Sequence, residues 1–275
     1  MELRGKTALV LGGAKGIGKA IGLALAQAGA RVILTWHDWP QEAAQMRREL
    51  AALGPQHLAV QSDLRDPTQV AALFQTIADH GDGALHFLIN NIERGGMPVV
   101  HGPYHEAQWD LEMETTLKAK WWVMRHGLPL LKASGGGAVV VLSSIAGLVG
   151  RSGPAGLIFN DGYAAANRAV SSFTETWAKE GAPSVRVNEL MLGFFETRHA
   201  EQTRGWELLT PEQQAAIRGH TLLGRTGRIE EVVATVKFLL TEAGYMTGSL
   251  IRLDGGYLLG GEPATPLPPG VEPGR

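Results

Sequence analysis

The residues whose types and spacing point most directly to chemistry form a glycine-rich segment near the start of the chain. It reads Gly12-Gly13-Ala14-Lys15-Gly16-Ile17-Gly18. The apolar stretch Thr7–Leu11 precedes this segment, and the helical pattern of Ile17–Ala28 follows it. A turn between a strand and a helix directs backbone N–H groups and the positive end of the helix dipole at one point, where glycines let a phosphate approach closely. The segment therefore predicts a pyrophosphate site; the alternative is a tight turn that binds nothing.

Seven short apolar runs, rich in β-branched residues, are typical of buried strands. They span Thr7–Leu11, Arg31–Trp36, His57–Gln61, His86–Asn90, Ala138–Leu142, Val185–Leu190 and Ser249–Leu253. Between them lie stretches with helical periodicity, such as Ile17, Ile21 and Leu25, which share one helix face. Apolar strands that alternate with helices indicate a parallel sheet covered on both faces, because each parallel connection needs a helix-length crossover. We therefore predict an α/β fold with a doubly wound parallel sheet of the Rossmann type, about seven strands and helices on both faces.

The alternation continues to Leu253 without a linker. Residues 1–260 are therefore predicted to form a single dinucleotide-binding and catalytic domain. Residues 261–275 are rich in proline and glycine. Because proline fixes φ and lacks a backbone donor, it disfavours both helix and central strand, and we expect an extended or disordered C-terminal tail.

Composition narrows the classes of partner. The 275 residues include 25 basic and 27 acidic ones, a net charge of −2, so neither nucleic acid nor an anionic membrane surface is favoured. There is no cysteine, which excludes disulfides, thiolate metal ligands and cysteine nucleophiles. No apolar run approaches the roughly 18 residues of a membrane span, and residues 1–6 show no secretion signal. We expect a cytoplasmic protein that acts on a small molecule.

Histidine spacing raises the question of a metal site. His101 and His105 have the i, i+4 spacing of helical metal ligands. Gly102-Pro103 lies between them and disfavours a regular helix, so we expect no bound metal.

Further motifs follow the glycine segment in a fixed order. They are Asn90-Asn91 after the fourth strand, Ser143-Ser144 after the fifth, Tyr163 at the start of a helix, and Leu253-Asp254-Gly255-Gly256 near the end. Together with Gly224–Glu231, these motifs make residues 1–260 resemble the short-chain dehydrogenases/reductases, especially 3-oxoacyl carrier-protein reductases and pteridine-reductase-like members. The resemblance implies an oxidoreductase that interconverts a carbonyl and an alcohol by hydride transfer with NAD(P)(H), assembled as a homodimer or homotetramer.

The resemblance also implies which residues contact the nicotinamide cofactor. Beyond the glycine segment, they are His37, Asp63, Leu64, Asn90, Asn91, Tyr163, Asn167, Gly193, Phe195 and Thr197. Asp63 corresponds to an aspartate that contacts the adenine, and Thr197 to a threonine that contacts the carboxamide. For Asp63 the alternative is a residue that only starts the helix before Pro67.

The end of the second strand bears on the choice between NAD and NADP. Trp36 and His37 stand where an acidic residue would bind the ribose hydroxyls of NAD. Lys15, within the glycine segment, supplies a cation that suits the 2′-phosphate of NADP. These features predict a preference for NADP(H), with NAD(H) as the alternative, although the carboxylate of Asp38 close by opposes it.

Carbonyl reduction needs a proton donor at the developing alkoxide and a hydrogen-bond donor that fixes the oxygen. The resemblance gives these roles to Tyr163 and Ser144. Two other catalytic positions differ, since Asn167 replaces the family's lysine and Thr116 replaces its asparagine. Without an adjacent ammonium, the pKa of the tyrosine should stay closer to about 10, while Asn167 retains groups that can bond ribose hydroxyls.

The altered positions leave two functions open. One is an active oxidoreductase; the other is a catalytically impaired cofactor-binding sensor or assembly subunit of the same fold. Glu93, which replaces a small residue of the family after Asn90-Asn91, favours the second. Lys120, one helical turn after Thr116, is a candidate to supply the missing charge. Arg168 is another, although it starts on the wrong helix face.

Two segments are expected to border the substrate. Residues 145–162 include the apolar Leu157, Ile158 and Phe159, which wall the substrate pocket or pack on a partner. Residues 194–223 are predicted to form a lid.

Overall fold

The computed structural model describes residues 2–93, 105–196, 206, 209–262, 264 and 266. Its strands are β1 (Thr7–Val10), β2 (Arg31–Trp36), β3 (Leu58–Gln61), β4 (Phe87–Asn90), β5 (Gly137–Ser144), β6 (Val185–Leu192) and β7 (Leu250–Leu253). They form one parallel sheet in the order β3-β2-β1-β4-β5-β6-β7. The predicted parallel sheet of about seven strands is confirmed.

Helices connect successive strands. They are α1 (Gly16–Gln27), α2 (Pro40–Ala52), α3 (Pro67–Asp79), α4 (Glu106–Glu112), α5 (Ala119–Ala133), α6 (Ala146–Val149), α7 (Asp161–Gly181), α8 (Pro211–His220) and α9 (Ile229–Thr241). A π-helical segment, Met113–Lys118, joins α4 to α5. Short 3₁₀ turns occupy Gly153–Leu157 and Tyr257–Leu259.

Two apolar layers cover the sheet. In β1, Val10 belongs to the layer formed with α1 and α9, where Leu25 and Val236 are buried. Its neighbour Leu9 belongs to the opposite layer, formed with α3, α5 and α7, where Val170 is buried. Successive strand residues point to opposite faces, so burial of both faces explains why the central strands β1 and β4 are largely apolar. The doubly wound arrangement is confirmed.

The strand order reverses beside β1, because the chain proceeds from β1 to β2 and β3 on one side and from β4 onward on the other. Ligands bind at such a switch point, outside the carboxyl ends of the strands. Two backbone hydrogen bonds fix the chain there: Leu11 N–H donates to the Ile89 carbonyl at 3.1 Å, and Gly13 N–H donates to the Thr35 carbonyl at 2.7 Å.

Two further expectations concern the chain as a whole. Among the helices of the described ranges, none combines the length and apolar character that a membrane crossing requires. The domain boundary at residue 260 stays a prediction, and the end of the tail, residues 267–275, lies outside the described residues.

Candidate active site

A cavity of about 390 Å³ opens at the carboxyl ends of the central strands. Most of the residues that the sequence singles out line it. They are Gly12, Lys15, Gly16, Ile17, Gly18, His37, Asp63, Leu64, Asn91, Ser144, Tyr163, Gly193 and Phe195. The fold therefore brings the glycine segment and the two polar residues Ser144 and Tyr163 to one cavity, although both residues lie more than 120 positions after the segment in the chain.

The glycine segment has the shape of an anion cradle. Gly16 has φ +56° and opens helix α1, and a Cβ atom placed on it would meet nothing within 4 Å. The N-cap residue Lys15 makes no side-chain hydrogen bond to the first turn, which contains no acidic residue. The first backbone amide groups of α1 therefore lie at an open part of the cavity. The positive end of the helix dipole lies at the same place. This arrangement fits the pyrophosphate of a nicotinamide dinucleotide.

Asn91 ties the glycine segment to the loop that follows β4. Its Nδ2 donates to the carbonyl of Leu11 at 3.1 Å and lies 3.4 Å from the carbonyl oxygen of Gly12. Gly12 has φ +67°, and a Cβ atom on it would lie 2.6 Å from the Asn91 carbonyl oxygen. The two loops are packed so closely that only glycine fits at this position.

The part of the cavity beside β2 and β3 contains a charged cluster. Asp63 accepts charge-assisted hydrogen bonds from the Arg65 guanidinium; the shortest are 2.9 Å from Nε and 2.6 Å from Nη2. His37 Nε2 lies 3.7 Å from the same carboxylate. The hydrogen bonds from Arg65 lower the pKa of Asp63 to about 2. Sequence reasoning missed Arg65, whose only signal was its position two residues after Asp63.

Removal of the arginine should therefore change the acid stability of this cluster. The pKa of Asp63 lies below its ordinary value of 3.8, so the ion pair stabilises the fold above about pH 4 and this stabilisation is lost as the pH falls toward about 2. We expect Arg65→Ala to return the pKa of Asp63 toward 3.8, as measured by NMR titration of the carboxyl carbon. Arg31→Ala, which removes the partner of Asp82 instead, should leave the Asp63 titration unchanged; equal titrations in wild type and Arg65→Ala would contradict the assignment.

Lys15 has an aromatic neighbour at the same end of the cavity. Its ammonium lies 3.1 Å from the centre of the Trp39 ring, a cation–π contact. Trp39 has φ +66°, which is unusual for a residue with a side chain. Burial lowers the pKa of Lys15, while Glu42 and Asp38 oppose that shift. Both Lys15 and Trp39 line the cavity.

The other end of the cavity holds Tyr163 and Ser144. Tyr163 lies in the first turn of α7, where its N–H donates to the side chain of the N-cap residue Asn160 at 2.8 Å. Ser144 ends β5, and its Oγ accepts a hydrogen bond from Ala146 N–H at 3.1 Å. This bond occupies a lone pair of the hydroxyl and not its hydrogen. The hydroxyl hydrogen is therefore left for another acceptor.

Three predicted site residues do not line the cavity. Asn167 is fully buried: its Oδ1 accepts from Ser144 N–H at 2.9 Å, and its Nδ2 donates to the Tyr163 carbonyl at 3.0 Å. Thr116 is buried in the π-helical segment, and its hydroxyl has no hydrogen-bond partner among the described residues. Asn90 is buried and directs its amide to the backbone of Lys120. Asn167 thus ties β5 to α7 beneath the site.

Other predicted residues lie elsewhere. Thr197, expected at the carboxamide, and His101 lie outside the described residues, as do residues 198–205, 207 and 208 of the predicted lid. Arg168 is exposed on α7, whereas Lys120 is fully buried. Sequence reasoning also missed Glu189, a carboxylate buried in β6 whose signal was an acidic residue within a strand.

The comparison with known proteins decides the family. A family model described as enoyl-(acyl carrier protein) reductase matches residues 12–258, which is most of the chain. A probable short-chain type dehydrogenase/reductase from Bradyrhizobium diazoefficiens is 35% identical over 94% of this chain and 89% of its own length. The chain belongs to the short-chain dehydrogenase/reductase family. Members of this family are NAD(P)(H)-dependent oxidoreductases that act on carbonyl and alcohol groups, and that is the class of this protein.

Named relatives within the short-chain dehydrogenases/reductases differ in substrate. A cyclohexanol dehydrogenase from an Acinetobacter species is 33% identical over 93% of this chain and 96% of its own length. A 3-oxoacyl-[acyl-carrier-protein] reductase from Vibrio cholerae is 32% identical over 94% of this chain and its full length. A short-chain dehydrogenase/reductase structure from Mycobacterium ulcerans, 28% identical, covers 94% of this chain and 92% of its own with a TM-score of 0.78. The NADPH-dependent 3-quinuclidinone reductase of Rhodotorula rubra shares the fold at 23% identity, with a TM-score of 0.80 over 94% of this chain and 93% of its own.

Proposed function

We propose that the protein is an NADPH-preferring reductase of uncharged ketones, with Tyr163 as the proton donor and Ser144 as the residue that fixes the carbonyl oxygen. One observation carries the proposal: Ser144 and Tyr163 line the same cavity as the glycine segment of residues 12–18. When bound there, the nicotinamide would supply the hydride. A group bound at the glycine segment and a group that reacts at Tyr163 then share one cavity.

The chain's own groups divide the remaining work. The phenol of Tyr163 donates the proton that the developing alkoxide takes up. The hydroxyl of Ser144, whose oxygen already accepts from Ala146 N–H, donates its hydrogen to the same oxygen. Asn167 joins the backbones of Ser144 and Tyr163 and so fixes the ends of β5 and α7 relative to each other.

The walls near Tyr163 favour an uncharged, ring-containing substrate. Phe159 and Phe194 stack at a centroid distance of 5.5 Å and an angle of 9°, and Phe159 also lies 5.8 Å from the Tyr163 ring. Ile158 and Trp206 extend the same lining. Flat apolar walls gain most from burying apolar carbon. A cyclic ketone or alcohol is the substrate class that we propose.

A second function has its own supporting observation. Asn167 has both ends of its side-chain amide bonded within the protein, and it carries no charge with which to lower the pKa of a neighbouring phenol. This favours a cofactor-binding sensor or assembly subunit without turnover. Fluorescence titration with NADPH and NADH, followed by a screen of cyclic ketones, separates the two functions. Turnover supports the reductase, binding without turnover supports the sensor, and failure to bind either nucleotide overturns both.

The preference for NADPH depends on Lys15. Lys15 belongs to the glycine segment and lines the cavity, with its ammonium over the Trp39 ring. Trp36, at the end of β2, contributes no carboxylate to oppose a 2′-phosphate, although Asp38 also lines the cavity. Because a hydrogen bond to a charged group is worth about 1.5–3 kcal/mol, we expect Lys15→Ala to reduce the NADPH-to-NADH ratio of kcat/KM by about 10- to 100-fold. Lys19→Ala is the matched control, since Lys19 pairs with Glu49 at 2.8 Å. An unchanged ratio in Lys15→Ala would refute this assignment.

Assembly and location also remain proposals. We propose a homodimer or homotetramer in the cytoplasm, in keeping with the family resemblance. Sedimentation of the purified protein across a concentration series tests the proposed oligomeric state.

A further inference from the structure

A lysine is buried behind the cavity. Lys120 on α5 has no exposed surface, and it is the one buried cation among the described lysines and arginines. Its ammonium donates to the carbonyl of Ile92, and its own backbone carbonyl lies 3.4 Å from Asn90 Nδ2. One residue therefore holds the chain on both sides of Asn91, through its side chain and through its backbone.

Two carboxylates interact electrostatically with this ammonium. One is Glu93, two residues after Asn91, and the other is Glu189 of β6, which also interacts with Arg168 of α7. Glu189 is buried and accepts hydrogen bonds from Ser143 and, at 3.3 Å, from Ser171. Its Oε2 has no hydrogen-bond partner in the described part of the chain. Because buried charges are costly to desolvate, Lys120 and Glu189 together contribute little net stability to the fold. Their burial is better explained by a role in fixing the position of nearby backbone.

The constrained segment is a wall of the cavity. Asn91, Ile92 and Glu93 all line it. At one end of this wall, Asn91 donates to the carbonyl of Leu11, beside the glycine segment. At the other end, Lys120 holds the Ile92 carbonyl. The wall is thus fixed between the anion cradle and helix α5.

We propose that Lys120 is a positioning residue for the nucleotide site, which fixes residues 91–93 beside the bound cofactor through the Ile92 carbonyl. Lys120 does not itself line the cavity, so it acts through the wall and not by contact. The inference rests on the proposed function for the identity of the ligand. The constraint on the wall does not depend on that identity, and it can be measured in the protein without nucleotide.

The first test removes the ammonium while keeping the charges balanced. Lys120→Met together with Glu189→Gln removes the bond to Ile92 without leaving an unpaired buried carboxylate at 189. We expect the Kd for NADPH to rise at least about tenfold, and amide hydrogen exchange in residues 87–93 of the nucleotide-free protein to accelerate. Glu189→Gln alone is the matched control, because it keeps the ammonium on Ile92; its Kd should stay within about threefold of wild type.

These readouts distinguish the possible failures. A double variant with wild-type Kd and wild-type exchange overturns the inference. A wild type that binds neither nucleotide overturns the proposed function, and the exchange rates then still decide whether Lys120 holds the wall.

A pH series provides a second test. Burial lowers the pKa of Lys120 from 10.5 to about 8, with Glu93 and Glu189 opposing the shift. Above that pH the ammonium is lost, so NADPH should bind more weakly while the free energy of unfolding rises, because the unfolded chain binds the proton more tightly. Lys15 also titrates in the cavity, and Glu189 is a second buried titratable group; the difference between Glu189→Gln and the double variant isolates Lys120. If the Kd had the same pH dependence in Glu189→Gln and in the double variant, the ammonium of Lys120 would have no effect on nucleotide binding and the inference would be overturned.

Discussion

Tyr163→Phe should lower kcat for ketone reduction by about 10²- to 10⁴-fold and leave the Kd for NADPH within about threefold of wild type. The substitution removes one hydroxyl and keeps the ring, which lies 5.8 Å from Phe159. The contact that starts α7 also survives, because it runs from the backbone N–H of Tyr163 to Asn160. The loss should therefore fall on proton transfer and not on folding or nucleotide binding. Single-turnover kinetics with NADPH, together with fluorescence titration, measure the two quantities separately.

A matched aromatic control separates the phenol from its surroundings. Tyr257 is buried in the same aromatic cluster, 5.1 Å from Phe194, but does not line the cavity. We expect Tyr257→Phe to retain turnover within about threefold. Equal turnover in Tyr163→Phe and wild type would assign proton donation to another group. Nucleotide binding without turnover in wild type would favour the sensor function.

Much of the fold was predictable because local pattern and tertiary structure agree. Strands buried on both faces must be apolar throughout, and crossover helices must present an apolar stripe, so the alternation that runs from Thr7 to Leu253 indicates a parallel sheet. The glycine segment was equally predictable, because the positive φ angles at Gly12 and Gly16 favour glycine, which the sequence shows directly.

The partners of the site residues were not predictable in the same way. Asn167 was expected near ribose hydroxyls, yet it bonds the backbones of Ser144 and Tyr163. That depends on how β5 approaches α7, which no spacing in the chain encodes. The hydrogen bond from Lys120 to the Ile92 carbonyl and the electrostatic interaction of Lys120 with Glu189 likewise join residues that are distant in sequence. A sequence pattern gives the helix face of a residue but not the group that faces it.

The π-helical segment made the relation between Thr116 and Lys120 equally hard to predict from the sequence. The i, i+4 spacing of Thr116 and Lys120 predicts that both share one helix face. The wider turn of Met113–Lys118 changes the rotation between them. Both side chains are buried, but only Lys120 finds hydrogen-bonding and charged partners among the described residues.

Gly18→Ala should abolish nucleotide binding, raising the Kd for NADPH at least about 100-fold, and lower the free energy of unfolding by about 1–3 kcal/mol. A Cβ atom on Gly18 would collide with the backbone carbonyl of Gly12 and lie 2.6 Å from Asn91 Nδ2. Backbone cannot yield as a flexible side chain does, so the first turn of α1 has to move away from the loop that follows β4. The amides of the anion cradle then lose the alignment on which phosphate binding depends.

The same substitution at an open position controls for the general effect of alanine in a helix. A Cβ atom on Gly219, in α8, would meet nothing within 4 Å. Gly219→Ala should therefore stabilise the protein slightly, by about 0.5–1 kcal/mol, and leave the Kd unchanged. Thermal unfolding with and without NADPH measures both quantities, since a bound nucleotide raises the midpoint only where the cradle is intact. If Gly18→Ala showed the same NADPH-dependent rise in midpoint as wild type, the nucleotide would have to bind away from the turn, and the close packing of Gly12, Gly18 and Asn91 would serve the fold alone.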